Sequence, residues 1–543
     1  MLKLKNIIWM GALALAVTSC EDYMETAPEN LLSSTTFYQT ATQSEQGVVG
    51  VYADLGTFSN SVYWYMSECR SDNTWTEVNT NGLREYAEIS TFRATDNLGI
   101  FNDVWNQMYK LIYDANIAIS KIEGCTFNDE TIKKQFLGEM HFMRGWIYFE
   151  LTRLFGNVPL IDSPISTNDV KTLPQSTPRE IRDNVVIPDL KYAIDNLPYK
   201  SGMKNAGGKS ISSQGRADKM AAEAMLARVY VTLAGFPYND SNAKALAKTQ
   251  LETVLQKESD YFAPTLEEWK KQWLPSADYY NKYSIFAIQH RLGEDRCQFI
   301  FNMLPELPPS YTSWRMMGNS IFIEKTLAYE FERIYSNGNK DGRGVGYSVL
   351  EGFEAEGDNY NAYSNQIESV TLDDGTEVEV FSKSRFYKFM PSIRKLNELG
   401  MSFNEGSMKN YYDWPVNYPI LRMEDMMLMY AEILAETNVS GAMAYVNKIR
   451  ERAGIDPESA TTATEALKII KRERRVELMG EGIRWFDMVR YGEWNTLTKN
   501  LFARYNNPEG TSISNIAEGR YLYPIPLNQM NATPGLYKQN KGY

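Results

Sequence analysis

Two apolar stripes set at the helical period occupy residues 101–156. In the first, Val104, Met108, Leu111, Ala115, Ile119 and Ile122 recur at steps of four, three, four, four and three. In the second, Phe136, Met140, Met143, Ile147, Leu151 and Leu154 repeat those steps. A stripe of this length obliges a helix to bury one face against a neighbour. The polar link "GCTFNDE" begins with Gly124, a helix stop, so the two stripes form an antiparallel pair.

The same device returns along the chain. "TPREIRDNV" opens a helix with Thr177 as N-cap, Pro178 in the first turn and Glu180 closing a capping box, and "AIDNLP" ends it at Pro198. "DKMAAEAMLARVYVTLAG" places Ala222, Met225, Leu226, Val229 and Leu233 on one face and stops at Gly235. "EDMMLMYAEILAE" and "GAMAYVNKIRERAG" form another pair around "TNVS". Thr462 and Glu465 cap the next helix, and "IRWFDMVRYG" follows as a short amphipathic turn. Repeated helix pairs with small residues at their contacts predict a mainly α fold, a tetratricopeptide-like α-solenoid with degenerate repeats.

Between about 255 and 420 the pattern changes. "YSIFAIQH" predicts a strand, and "SVTLDDGTEVEVF" a hairpin turning at Asp374-Gly375. Gly-rich loops such as "NGNKDGRGVGY" surround them. This stretch is expected to be an irregular, loop-rich insertion with short strands laid on the helical scaffold. Long loops on a rigid scaffold are where binding sites tend to sit. Helical scaffold is expected over about 37–254 and 420–500, with an extended C-terminal segment over about 501–543.

The N-terminus reads differently. Lys3 and Lys5 precede an apolar run from Ile7 to Val17, shorter than the roughly 18–20 residues that span a bilayer. A basic start, a short apolar run and small residues describe a secretory leader. Val17-Thr18-Ser19-Cys20 completes a lipobox. The expectation is a signal peptide over 1–19, lipid attachment at Cys20, a tether over 20–36 and one domain over 37–543. A lipidated cysteine carries several acyl chains, enough for stable anchoring.

Net charge is −12, and removal of Lys3 and Lys5 would make it −14. An acidic chain without a basic run argues against nucleic acid as partner. The run "KRERR" (471–475) alternates with Glu473 and Glu477 and is expected to be a salt-bridged helix face. Cys69, Cys125 and Cys297 fit no zinc or redox spacing and are expected to be buried small hydrophobes. His141 and His290 are the only histidines, so metal or triad chemistry has little material. His141 lies on the second stripe's helix without HExxH spacing, which makes it a structural histidine. "DGRGVGYS" lacks the Lys-Ser/Thr of a phosphate loop, and no G-x-S-x-G is present. No cofactor or metal is expected. Carboxylates are plentiful, yet nothing in their spacing marks a glycosidase pair.

Several blocks resemble, in order, the SusD/RagB family of outer-membrane nutrient-binding lipoproteins. The first is "FYQTATQSEQGVVGVYADL", and the second "EMHFMRGWIYFELTRLFGNVPLI", with Arg144, Tyr148, Phe149, Leu151, Gly156, Val158, Pro159 and Leu160. "AEAMLARVYVTLAG", "LRMEDMMLMYAEILAE" with "VNKIRERAGI", "RERRVELMGEGIRWFDMVRYGEW" and "YPIPLNQMNATPGLYKQNKGY" follow. The resemblance implies four tetratricopeptide-like helix pairs on the cell surface, held to the outer membrane by lipid. It implies a SusC-like TonB-dependent transporter as partner, a glycan or sometimes a peptide as ligand, and no catalysis. An α-helical glycoside hydrolase is the competing class. Arg144, Arg484 and Asp487 lie in these blocks and are read as buried, paired structural groups.

Ligand contacts in such proteins come from variable loops, so two stretches are chosen on chemistry. "ECRSDNTWTEVNTN" sets Arg70, Asp72, Asn73 and Trp75 together, and "LPELPPSYTSWRMMGN" offers Tyr311, Trp314 and Arg315 in a Pro-rich loop. An aromatic face stacks on the C–H side of a sugar while amide, carboxylate and guanidinium groups bond its hydroxyls.

Overall fold

The computed structural model describes residues 37–76, 84–211, 215–275, 282–293, 297–303, 307, 311–314, 321–344, 346–350, 367–372, 374–381, 384–505 and 513–543. The leader, Cys20 and the tether lie outside the described residues.

Nine helices carry the scaffold: α1 Ala41–Ala53, α2 Gly99–Gly124, α3 Glu130–Phe155, α4 Ile187–Asn196, α5 Lys219–Ala234, α6 Ser241–Leu255, α7 Met423–Leu434, α8 Val439–Arg452 and α9 Ala463–Glu477. From α2 to α9 each helix packs on the next in chain order, and α1 lies across α2 and α3. That is the solenoid the stripes predict. The chain leaves the stack after Leu255 and re-enters at Met423, yet α6 and α7 touch. The insertion is therefore a detour from an unbroken stack.

Local signals set the helix starts. Thr177 accepts from the Glu180 N–H at 3.2 Å while the Glu180 carboxylate accepts from the Thr177 N–H at 2.7 Å. Thr462 and Glu465 close the same box at α9. The helix begun at Pro178 widens into a π-turn over Arg182–Val186 before α4. Pro188 has no N–H for the Asn184 carbonyl, and the wider turn takes up that loss.

All six stripe residues of α2 are buried, each worth roughly 1–3 kcal/mol of burial depending on size. The sequence predicts a single stripe on α3 and on α5, and here the structure differs. α3 also buries Gln135, Glu139, Arg144 and Glu150, and α5 also buries Ala221, Ala224 and Ala227. These helices have neighbours on several sides, so their polar side chains must find partners inside. Arg144 does so by a two-pronged contact with Asp189 of α4 at 2.7 and 2.8 Å and a bond to Asn116 of α2 at 2.7 Å. His141 Nδ1 lies 2.6 Å from the same Asp189, so it is structural, as the sequence predicts. Cys69, Cys125 and Cys297 are buried and form no disulfide among the described residues.

Besides a two-residue antiparallel pair, Val158–Pro159 with Gln175–Ser176, the strands among the described residues are β1 Thr74–Thr76, β2 Ser284–Ile288, β3 Ile321–Ile323, β4 Ile367–Thr371, β5 Glu377–Phe381 and β6 Tyr418–Arg422. The six labelled strands pair antiparallel as β1 with β3, β2 with β6 and β4 with β5. The β4–β5 hairpin turns at Asp374-Gly375, where Gly375 has φ 85° and Asp374 accepts from the Thr376 N–H at 3.0 Å.

One carboxylate pins the insertion to the stack. Glu477 of α9 is wholly buried. Its Oε1 accepts from Arg422 at 2.7 Å and from the Trp269 indole at 3.0 Å, and its Oε2 from Arg343 at 2.6 Å and Arg452 at 2.7 Å. Burial alone would raise its pKa, but Arg452, Arg422 and Arg343 hold it well below the usual carboxylate range. The charged run before it follows the same rule: Lys471 pairs outward with Glu493, while Glu473 and Arg474 turn in to Arg343 and to Asp425 and Asp487. The salt-bridged face is partly an internal one.

Candidate functional site: two aromatic surfaces on the insertion side

The first candidate stretch folds as a tight Glu68–Arg70 turn that leads into β1. Glu68 holds it in place, accepting from Asn73 at 2.8 Å and from the Gly480 and Gly482 N–H groups at 2.9 and 3.0 Å. Arg70 is buried, donates to the Ile89 and Arg520 carbonyls at 3.1 and 2.9 Å, and lies 3.6 Å over the Phe92 ring. Asp72 is gripped by Arg484 at 2.6 and 2.8 Å. Burial would push the Asp72 carboxyl up, but Arg475 and Arg484 hold it well below its usual range. Asn73 gives its amide to Glu68 and accepts from Arg475 at 3.1 Å.

The expectation that Arg70, Asp72 and Asn73 contact a ligand is therefore corrected. All three are buried and bonded within the chain, and they fasten the strand that carries Trp75. Arg484 and Asp487 are likewise paired inside, the latter with Arg474 at 3.0 Å and Arg490 at 2.8 Å.

Trp75 itself is half-buried. Across the ladder it faces Phe322 of β3, and its ring stacks on Tyr505, with centroids 3.8 Å apart and planes 11° apart. Tyr505 follows the helix Trp494–Arg504. Its hydroxyl accepts from the Lys325 N–H at 3.2 Å, and the Lys325 ammonium lies 5.0 Å from its ring centre. Burial raises the Tyr505 hydroxyl well above its ordinary pKa, so it stays a neutral phenol. Beside Tyr505 a cleft of about 340 Å³ opens between Lys325, the β4 residues Ser369 to Thr371, and Ala503 with Arg504. Lys325 and Arg504 are steadied by Glu368 and Glu324. The cleft itself is lined by polar and small groups, and the Trp75–Tyr505 stack adjoins it through Arg504, the chain neighbour of Tyr505, and through Lys325.

The second stretch divides. Tyr311 is 5% exposed, its ring set 6.0 Å from Tyr387, so it fills the core under the loop. Trp314 is half-buried, and its indole N–H points at the Glu405 carbonyl at 3.4 Å. Glu405 also accepts from the Ser313 N–H at 2.7 Å through Oε2, while its buried Oε1 has no partner among the described residues. This ties Trp314 to the loop 403–414, which presents Tyr411 and Tyr412 with ring centres 4.3 Å apart. Arg315 lies outside the described residues.

Tyr505, Lys325 and Glu405 were not singled out from sequence. Tyr505 comes to Trp75, Glu405 to Trp314 and Lys325 to Tyr505 from far along the chain, where sequence spacing gives no signal. Among the described residues no cluster of three or more His, Cys, Asp or Glu is placed to hold a metal ion, and no helix is long and apolar enough to cross a membrane.

Comparison with known proteins adds a second kind of finding. Residues 321–543 match the SusD family model, and residues 22–231 match a SusD-like model described as "Starch-binding associating with outer membrane". The chain is 24% identical to SusD-like protein P25 of Formosa agariphila, over 100% of both chains. Among solved structures it superposes on a SusD homolog from Bacteroides thetaiotaomicron with a TM-score of 0.71 at 21% identity, covering 95% of this chain and 99% of that one. A structure described as a laminarin-binding SusD-like protein gives 0.68 at 22% identity, over 93% and 100%. Two family models on the two ends of the chain, full-length relatives and a shared mainly helical fold agree with the ordered sequence blocks: this chain belongs to the SusD/RagB family.

Proposed function

We propose that this protein is a surface glycan-binding lipoprotein. It captures oligosaccharides and delivers them to a TonB-dependent outer-membrane transporter without cutting them. Cys20 is the lipid attachment point, residues 1–19 the leader and 20–36 the tether. The rest is one domain whose binding surfaces form where the insertion meets the segments that carry Trp75 and Tyr505.

The observation that carries this reading is the Trp75–Tyr505 stack beside a cleft lined by Lys325, Ser369, Thr371 and Arg504. Family membership, the outer-membrane wording of the matching model and the laminarin-binding neighbour support it. The ring pair supplies an apolar face and the cleft supplies donors, the complement of a sugar ring. Trp314 is a second aromatic contact in the same reading. Affinity electrophoresis of the protein through gels holding a panel of glycans tests it: retardation by at least one glycan, lost in Trp75→Ala, is expected.

A further inference from the structure

A second cleft, of about 320 Å³, lies away from both tryptophans, between α1, the turn at Gly215 and Arg216, and the end of β2. Its floor is aliphatic, built from Val49, Leu55 and Ile288. Val49 is 48% exposed, an apolar side chain left facing the opening.

The walls are held by bonds within the chain. Tyr52 donates to Glu139 at 3.1 Å and accepts from the Ala217 N–H at 3.0 Å. Arg216 donates to Glu45 at 2.8 Å and to both oxygens of Glu139 at 2.7 and 2.8 Å. Gly215 has φ 80°, and a Cβ there would stand 2.0 Å from the Gln289 side chain. Glycine thus lets the turn lie flat against Gln289, whose amide is tied to Asn417 at 2.9 Å. A wall fixed in this way loses little freedom when something binds.

The charge at this cleft is unlike that of the chain. Net charge is −12, yet among the described residues no carboxylate lines the opening. The charge of Arg216 is offset by Glu45 and Glu139. Arg291 is exposed at the rim and makes no ion pair or hydrogen bond among the described residues. Among the described residues, one guanidinium without an ion-pair partner thus stands beside an aliphatic floor.

We propose that this cleft is a separate binding site for a small carboxylate with a branched aliphatic body. The carboxylate bonds to Arg291, and the body lies on Val49, Leu55 and Ile288. A guanidinium offers two parallel N–H donors that match a planar monoanion. A dianionic phosphate would call for a second open cation, and Arg216 is already neutralised. The floor lacks the stacked rings found at Trp75, so the ligand differs in class from the glycan.

Saturation-transfer NMR on the mature full-length protein tests the proposal with three probes: N-acetyl-leucine, its neutral amide, and glucuronate. N-acetyl-leucine is expected to bind saturably and about tenfold more tightly than the amide, the value of a charge-assisted bond. Arg291→Gln, a surface change that leaves the melting curve intact, should erase that acid–amide difference. Val49→Asp, which puts a carboxylate on the floor, should remove binding, and Trp75→Ala should leave it unchanged. The proposal is overturned if N-acetyl-leucine shows no saturable binding or if glucuronate binds as well. It also fails if Arg291→Gln keeps the acid–amide difference, since the probe then binds elsewhere.

Discussion

Trp75 and Tyr505 lie face to face, 3.8 Å between ring centres, although they stand near opposite ends of the chain. Tyr505 backs one face of the indole and leaves Trp75 half-buried. A ring held this way loses little freedom when a sugar stacks on it. Trp75→Ala should weaken glycan binding by roughly 1–3 kcal/mol without unfolding the protein, and Trp314→Ala should do the same if its surface shares the glycan. Tyr505→Phe should keep the stack and most of the affinity. Titration calorimetry beside a melting curve separates lost contact from lost fold, and unchanged affinity in both tryptophan variants removes these loops from the site.

Glu477 should be a stability residue. Removing it leaves Arg343, Arg422 and Arg452 buried with a missing partner, a loss of about 3–5 kcal/mol. Denaturant unfolding of Glu477→Ala checks this, and a shift below about 1 kcal/mol would contradict the role given to it.

Acid should unfold the protein through its depressed carboxylates. Burial works against ionisation of Asp487, but Arg474 and Arg490 bring it down to about 2. A carboxyl whose folded pKa is depressed adds stability that is fully present above its unfolded value, about 3.9, and is lost as pH falls through the folded value. Asp72 and Glu477 act in the same direction. Midpoints measured from pH 5 to pH 2 should therefore drop steeply. A flat profile over that window would refute the pairing.

Asp218 works the other way. It caps α5 by accepting from the Ala221 N–H at 2.9 Å, and burial pushes its carboxyl up to about 6. A raised carboxyl adds stability in its protonated form, present below the unfolded value and lost as pH rises to about 6. Asparagine keeps the cap without the ionisation. Asp218→Asn should gain up to about 3 kcal/mol relative to the native protein between pH 4 and pH 7. Parallel pH-stability curves for the two proteins would contradict the assignment.

Cys20→Ala should abolish acylation and move the protein out of the membrane fraction. Labelling with a fatty-acid analogue, followed by fractionation, reads both. Membrane retention without label would mean another anchor.

The scaffold was legible in the sequence because its signals are local. The α2 stripe, the capping boxes at Thr177 and Thr462 and the Asp374-Gly375 turn each lie within a few residues and need no knowledge of the rest of the chain. The site was legible only in part. A Trp in a polar segment marks Trp75, but the Arg, Asp and Asn beside it look like ligand groups until their partners are known. Arg484, which grips Asp72, is 412 residues away, and Arg475, which holds Asn73, is 402 away. Spacing along a chain says nothing about pairs of that separation, so buried clamps and open binding groups read alike. The Glu477 hub was hidden for the same reason.

The central claim is that the protein holds a glycan and releases it whole, and one measurement addresses it most directly. The purified mature protein is run through glycan-bearing gels, and the glycan that retards it is then incubated with it and assayed for new reducing ends. Retardation that depends on Trp75, with no reducing ends released, is the predicted result. New reducing ends, or no retardation by any glycan, would contradict it.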